Sequence, residues 1–197
     1  MTNYDRLSKL IEKGQPFSAA EARKTGAPTQ TLTRLCRNGT IQRIARGLYV
    51  NPQSISEHEE LKIVSKLIPY GVICLLSALK YHNLTSQLPH QVWLAIPQGR
   101  RRKIISYPEV TYISISPPYY NFGIEEHTHD GVTIKVYSIA KTIADCFKFR
   151  NSIGLDVALE VLKETKADRK VTNAQIMEAA KVCRVAKIIM PYLEALS

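Results

Sequence analysis

The chain has 197 residues, room for one large domain or two small ones. Its 45% hydrophobic and 22% charged residues are globular proportions that exclude a disordered chain, and its longest apolar run, residues 72–79, falls far short of the roughly 18 residues that cross a bilayer. Twenty-seven Lys/Arg against 17 Asp/Glu leave a net charge of +10, which points to a polyanionic partner, nucleic acid first.

The opening residues Met1-Thr-Asn-Tyr-Asp-Arg6 contain no apolar signal-peptide core, so a soluble, cytosolic protein is expected. Tyr4, Leu7, Leu10 and Ile11 then repeat at helical spacing and predict an amphipathic helix over 3–13, stopped by Gly14. Ser18 followed by Glu21 is a capping box that opens a second helix over 18–25. Pro28 suits the first turn of a third helix, 28–38, because its missing N–H has no partner there anyway. Residues 41–50 read as two short strands around a turn at Ala45-Arg46-Gly47.

This order is that of a winged helix-turn-helix, with the third helix as the reader of a major groove. At about 100° per residue, Leu32, Leu35 and Cys36 share a face with Pro28. The opposite face carries Gln30, Thr33, Arg34 and Arg37, with Thr31 on its flank. Arg can pair with guanine, Gln with adenine, and Thr can touch phosphate or a thymine methyl. Arg43 and Arg46 on the wing suit phosphate or minor-groove contact. Residues 1–52 hold nine Lys/Arg against three Asp/Glu, a net +6 in a quarter of the chain. A solvated basic face on a small helical bundle is the competing explanation.

Residues 14–52 resemble the N-terminal winged-helix domain of the AbiEi antitoxins of type IV toxin–antitoxin and abortive-infection systems. The stretches that carry the likeness are Phe17-Ser-Ala-Ala-Glu-Ala-Arg23, Thr31-Leu-Thr-Arg-Leu-Cys-Arg-Asn-Gly39 and, most specific, Arg43-Ile-Ala-Arg-Gly-Leu-Tyr49. It continues through Leu76-Ser-Ala-Leu79, His82-Asn-Leu84, Val92-Trp-Leu-Ala-Ile-Pro97 and Val136-Tyr-Ser-Ile-Ala-Lys-Thr-Ile-Ala-Asp145. The resemblance implies a repressor that binds inverted repeats in its own promoter. It also implies a second domain that counteracts a nucleotidyltransferase-like toxin without stable direct binding, and no membrane partner.

The remainder predicts an α+β second domain over 55–197, with the boundary near Gln53–Ser56. Helices are expected over 57–68 and 72–82, and strands over 91–97 and 110–116. Residues 117–121 read as a loop. Two strands, 124–128 and 132–137, flank a turn at His129-Asp130-Gly131. Four helices follow over 139–149, 155–164, 173–183 and 185–196, with Ser138 and Thr172 as caps and Pro191 bending or splitting the last. The order suggests helices over a small mixed or antiparallel sheet.

Chemistry-bearing groups are few. Arg100, Arg101, Arg102 and Lys103 form a basic run between strands, either a phosphate clamp beside the winged helix or a solvated loop. Tyr107, Tyr119 and Tyr120 could stack on bases or pack into the fold. His127, His129 and Asp130 form the one metal-like cluster; its spacing lacks a fixed third imidazole or carboxylate, and no metal or cofactor is expected. A nucleic-acid-processing enzyme built on that cluster is a rival reading. Lys141 and Asp145 read as an ordinary i,i+4 pair. Cys36, Cys74, Cys146 and Cys183 form no C-x-x-C pair and read as buried reduced thiols. Phosphate-loop, dinucleotide, nucleophile-elbow and H-E-x-x-H motifs are missing, so no enzyme is expected. A stand-alone regulator with a ligand-sensing second domain is the alternative function. On DNA, either a homodimer or cooperative monomers fit.

Overall fold

A computed structural model describes residues 3–52, 58–87, 89–105 and 107–196. Its first fifty residues contain α1 (Asn3–Glu12), β1 (Phe17–Ser18), α2 (Ala19–Lys24), α3 (Thr29–Arg37), β2 (Gln42–Ala45) and β3 (Leu48–Val50). The strands form an antiparallel sheet in the order β1-β3-β2. Leu7, Ile11, Phe17, Ala22, Leu32, Leu35, Ile41 and Tyr49 close one apolar core between the helices and this sheet. The Ser18 box forms as read: Ser18 N–H donates to Glu21 at 2.6 Å and Glu21 N–H donates to Ser18 Oγ at 3.0 Å. Gly47 at φ +77° makes the tight turn between β2 and β3, a conformation costly for a residue with a Cβ.

Three details depart from expectation. Pro28 stands outside α3 as its N-cap residue, extended and exposed, because its locked φ also fits the extended backbone that precedes a helix. Two-residue β1 was not foreseen; a pair of residues has no readable period. Tyr4, assigned to the buried stripe of α1, is 55% exposed.

The second unit runs α4 (Glu59–Leu67), β4 (Val72–Ile73), α5 (Leu75–Tyr81), β5 (Val92–Pro97), β6 (Val110–Ile115), α6 (Pro117–Tyr120), β7 (Ile124–His129), β8 (Val132–Tyr137), α7 (Ile139–Lys148), α8 (Arg150–Ile153), α9 (Leu155–Ala167), α10 (Asn173–Val182) and α11 (Ala186–Ala195). Its sheet has the order β6-β5-β4-β8-β7 and is mixed: β5 with β6 and β4 with β8 are parallel, the other pairs antiparallel. Alternate residues face opposite layers. Val72, Ala95 and Tyr137 meet α7, α9, α10 and α11. Ile73, Leu94, Ile96, Ile134 and Val136 meet Leu61, Val64 and Ile68 of α4 and its C-terminal end. The architecture is therefore α+β.

The helix expected over 72–82 is a strand followed by a helix. Val72 and Ile73 pair with Ala95 and Leu94 on one side, and Ile73 with Val136 on the other. An unbroken apolar run fits a buried strand and a buried helix equally, so pairing decides. The loop expected over 117–121 is a single helical turn with prolines in its first positions. α8 was not expected, and α11 continues through Pro191 as one helix.

The boundary placed at Gln53–Ser56 lies outside the described residues. On either side of it, the two units touch. Ile44, Leu48 and Val50 pack on Ile63 of α4, with Leu67 alongside. Lys66 Nζ donates to the Pro16 carbonyl and lies 3.4 Å from a Glu21 carboxylate oxygen. The winged-helix unit is thus seated on α4 by an apolar contact with a polar rim.

Candidate nucleic-acid interface

Leu32 and Leu35 anchor α3 in the core, and the opposite face is polar and open. Gln30, Thr33, Arg34 and Arg37 are exposed there, and Thr31 is half-buried on the flank. Among the described residues, the side chains of Gln30, Thr33, Arg34 and Arg37 have no intramolecular hydrogen bond or ion pair. Two guanidinium groups in the last turn also complement the negative end of the helix dipole. Cys36 is only half-buried, which corrects its assignment as a core thiol.

Arg43 and Arg46 are exposed on the β2–β3 hairpin. Arg43 Nε donates to the Ala45 carbonyl at 3.3 Å across an irregularity in the β2–β3 register, which fixes the direction of its guanidinium. The turn is held against α2, since Ala19 N–H donates to the Gly47 carbonyl at 2.8 Å. At this corner Glu21 is held below the usual carboxylate range: burial opposes this, but the bonds from Ser18 and the charge of Lys66 outweigh it.

Arg100, Arg101, Arg102 and Lys103 are exposed on the crossover between the parallel strands β5 and β6. Lys103 Nζ donates to the Leu67 carbonyl at 3.0 Å. Leu67 also borders the apolar seat of the hairpin. One end of α4 therefore carries, through Lys66, the start of α2 and, through Leu67, both the wing and the basic loop.

Tyr4 is the residue that sequence reasoning missed. It lines a cleft of about 260 Å³ with Leu7, Ala27, Pro28, Thr31 and Arg34, which places its ring beside the polar face of α3. The i, i+3 pattern with Leu7 was the available signal, and it pointed inward. Nothing in that period distinguishes the last buried turn from the first exposed one.

The other candidates have partners within the molecule, although Tyr107 and Asp130 are exposed. His129 Nε2 lies 2.6 Å from the Tyr81 hydroxyl, Asp130 receives Lys62, and His127 lies 3.3 Å from Glu125. His58, His127 and His129 all pack their rings around Tyr81. Among the described residues no group of three His, Cys, Asp or Glu is placed to hold a metal. Tyr107 donates to Glu60 at 3.1 Å. Tyr119 packs against the main core beneath Lys148, and Tyr120 donates to the Tyr70 carbonyl.

Lys141 and Asp145 are not an ordinary surface pair. They are 0% and 1% exposed, with Nζ 2.6 and 2.5 Å from the two carboxylate oxygens. Lys141 also sits 4.2 Å from the centre of the Tyr137 ring, and Cys183 Sγ donates to Asp145 at 3.4 Å. Burial and the Asp145 charge push the Cys183 thiol up to about 12, a protonated and inert group. The arrangement fixes α7 against β8 and α10 and offers no open position to a substrate.

Among the described residues no helix is long and apolar enough to cross a membrane. Residues 5–52 match the family model described as transcriptional regulator, AbiEi antitoxin. No curated protein matches the chain in sequence. The fold is similar to the crystal structure of the RV2827C protein from Mycobacterium tuberculosis, with a TM-score of 0.65 at 11% identity over 94% of this chain and 75% of that one. At that identity the likeness speaks to architecture alone.

Proposed function

We infer that the chain, whose residues 5–52 match the family model described as transcriptional regulator, AbiEi antitoxin, is a sequence-specific repressor of its own operon. Gln30, Thr33, Arg34 and Arg37 read base edges in the major groove, with Thr31 at the flank. Arg43 and Arg46 hold phosphates or the adjoining minor groove, and Arg100, Arg101, Arg102 and Lys103 extend the phosphate contacts. Occupancy of inverted repeats in the promoter blocks polymerase, whether two chains bind as a dimer or as cooperative monomers. The protein works in the cytoplasm, without catalysis, and counteracts a nucleotidyltransferase-like toxin without forming a stable complex with it.

The observation that carries this reading is the exposed face of α3, whose polar side chains have no partner in the described molecule. Polar groups buried in a fold are bonded within it; these are exposed to solvent and left available. Footprinting on the upstream DNA, followed by gel shifts, tests it. Arg34→Ala should cost about 1–3 kcal/mol on the footprinted site and little elsewhere, whereas Arg46→Ala should weaken all duplexes alike. Unchanged affinity in both variants removes the site assignment. Growth rescue by co-expression with a toxin encoded next to it, without co-purification, tests the antitoxin role.

A ligand-sensing regulator is the second reading, favoured by a cleft of about 320 Å³ lined by Glu60, Ser77, Lys80, Tyr81 and Tyr107. An adjacent toxin reading frame distinguishes the two.

A further inference from the structure

The basic loop presents a feature that phosphate binding does not use. Ile104, directly after Arg100-Arg-Arg-Lys103, is 98% exposed; the next most exposed large apolar residue among those described is Tyr4 at 55%. Its neighbour Ile105 packs inward, against the cluster beneath the sheet. Consecutive side chains of an extended segment point to opposite sides, so burial of one projects the other outward.

The projection is built rather than frayed. The Tyr70 hydroxyl donates to the Arg101 carbonyl at 3.2 Å and the Tyr112 hydroxyl donates to the Lys103 carbonyl at 2.6 Å. Lys103 is tied to α4, and the Arg100 guanidinium lies 5.3 Å from the centre of the Tyr70 ring. Two tyrosines and a helix end therefore hold the backbone on both sides of Arg102. Arg101 and Arg102 have no carboxylate partner among the described residues.

We propose that Ile104 is an apolar wedge that enters between two stacked base pairs from the minor groove, with Arg101 and Arg102 held to the flanking phosphates. This rests on the DNA-binding reading and deepens it by naming the groove and the inserted residue. Charge selects DNA over a protein surface as the occupant, since four cations precede the isoleucine. An apolar side chain at a base step unstacks it, most cheaply at a pyrimidine–purine step, and the preorganised loop avoids an ordering cost on binding. The α3 face reads one groove, and the wedge selects a deformable step beside it.

The test uses the full chain and duplexes carrying its footprinted site, with 2-aminopurine placed at successive steps under the loop. Wild-type protein should raise the fluorescence at one step. Ile104→Ala should abolish that rise and bind about tenfold more weakly, while Ile104→Met retains both signals. Netropsin, which fills the minor groove, should compete with wild-type protein and not with Ile104→Ala. Because Ile104 is almost fully exposed, its replacement leaves the core untouched. A rise that survives Ile104→Ala, or no rise while wild-type protein protects its site, overturns the wedge and leaves the Arg34 discrimination standing. No site protection by wild-type protein removes both. Ile104-dependent binding to phosphatidylglycerol vesicles, with every DNA signal unchanged, would assign the loop to a lipid surface and likewise overturn the proposal.

Discussion

Replacing Arg100, Arg101 and Arg102 together with Ala tests whether the second unit shares the DNA surface proposed for the first. The six cations assigned to phosphates are Arg43, Arg46, Arg100, Arg101, Arg102 and Lys103. Each neutralised phosphate steepens the dependence of log affinity on log salt by about 0.9. Six contacts give a slope of about −5.4, a loss of roughly a thousandfold between about 50 and 200 mM salt. The triple variant should fall to about −2.7, and its affinity should lose correspondingly less as salt rises. Fluorescence anisotropy on a labelled operator duplex at several salt concentrations measures both slopes. All three side chains are exposed, so unfolding curves should coincide within about 0.5 kcal/mol. A variant slope within about half a unit of the wild-type value would mean that the loop faces away from DNA. The reasoning from the shared end of α4 would then fail.

Two further predictions concern the second unit. Asp145→Ala strands the fully buried ammonium of Lys141 and should destabilise by about 3–5 kcal/mol, lowering Tm by on the order of 10 °C. Lys141→Met combined with Asp145→Leu should recover most of the loss in urea melts; equal damage in single and double variants would show that the charges are not the cause. His82 is held below its ordinary value of 6.5 by burial, although its bond to the Tyr137 carbonyl at 2.7 Å pulls the other way. With the folded value depressed, its contribution is complete above about 6.5 and is lost as pH falls through the folded value. His82→Gln should flatten that acid limb of Tm against pH, and an unchanged limb would exclude His82 as its source.

The N-terminal unit was legible because its signals are local. Ser18 and Glu21 lie three residues apart, the period of α3 separates Leu32 and Leu35 from Arg34 and Arg37, and Gly47 marks its own turn. Tyr4 was misplaced because period alone does not say where a buried stripe ends. In the second unit, Val72 and Ile73 show the limit: their strand exists only through partners at Ala95, Leu94 and Val136. Lys141 and Asp145 are spaced like any solvated pair, and only the helices around them reveal burial.

The amino-acid order by itself determined the capped helices, the basic hairpin and which face of the third helix stays polar, since neighbours within a few residues set caps, turns and periods. Tertiary structure alone decided that β4 lies at the centre of a mixed sheet. It also decided that the wing rests on α4, and that a loop some fifty residues beyond the wing shares the same helix end. Those outcomes depend on contacts between segments remote in the chain, where many pairings suit the same hydrophobic pattern and packing selects one.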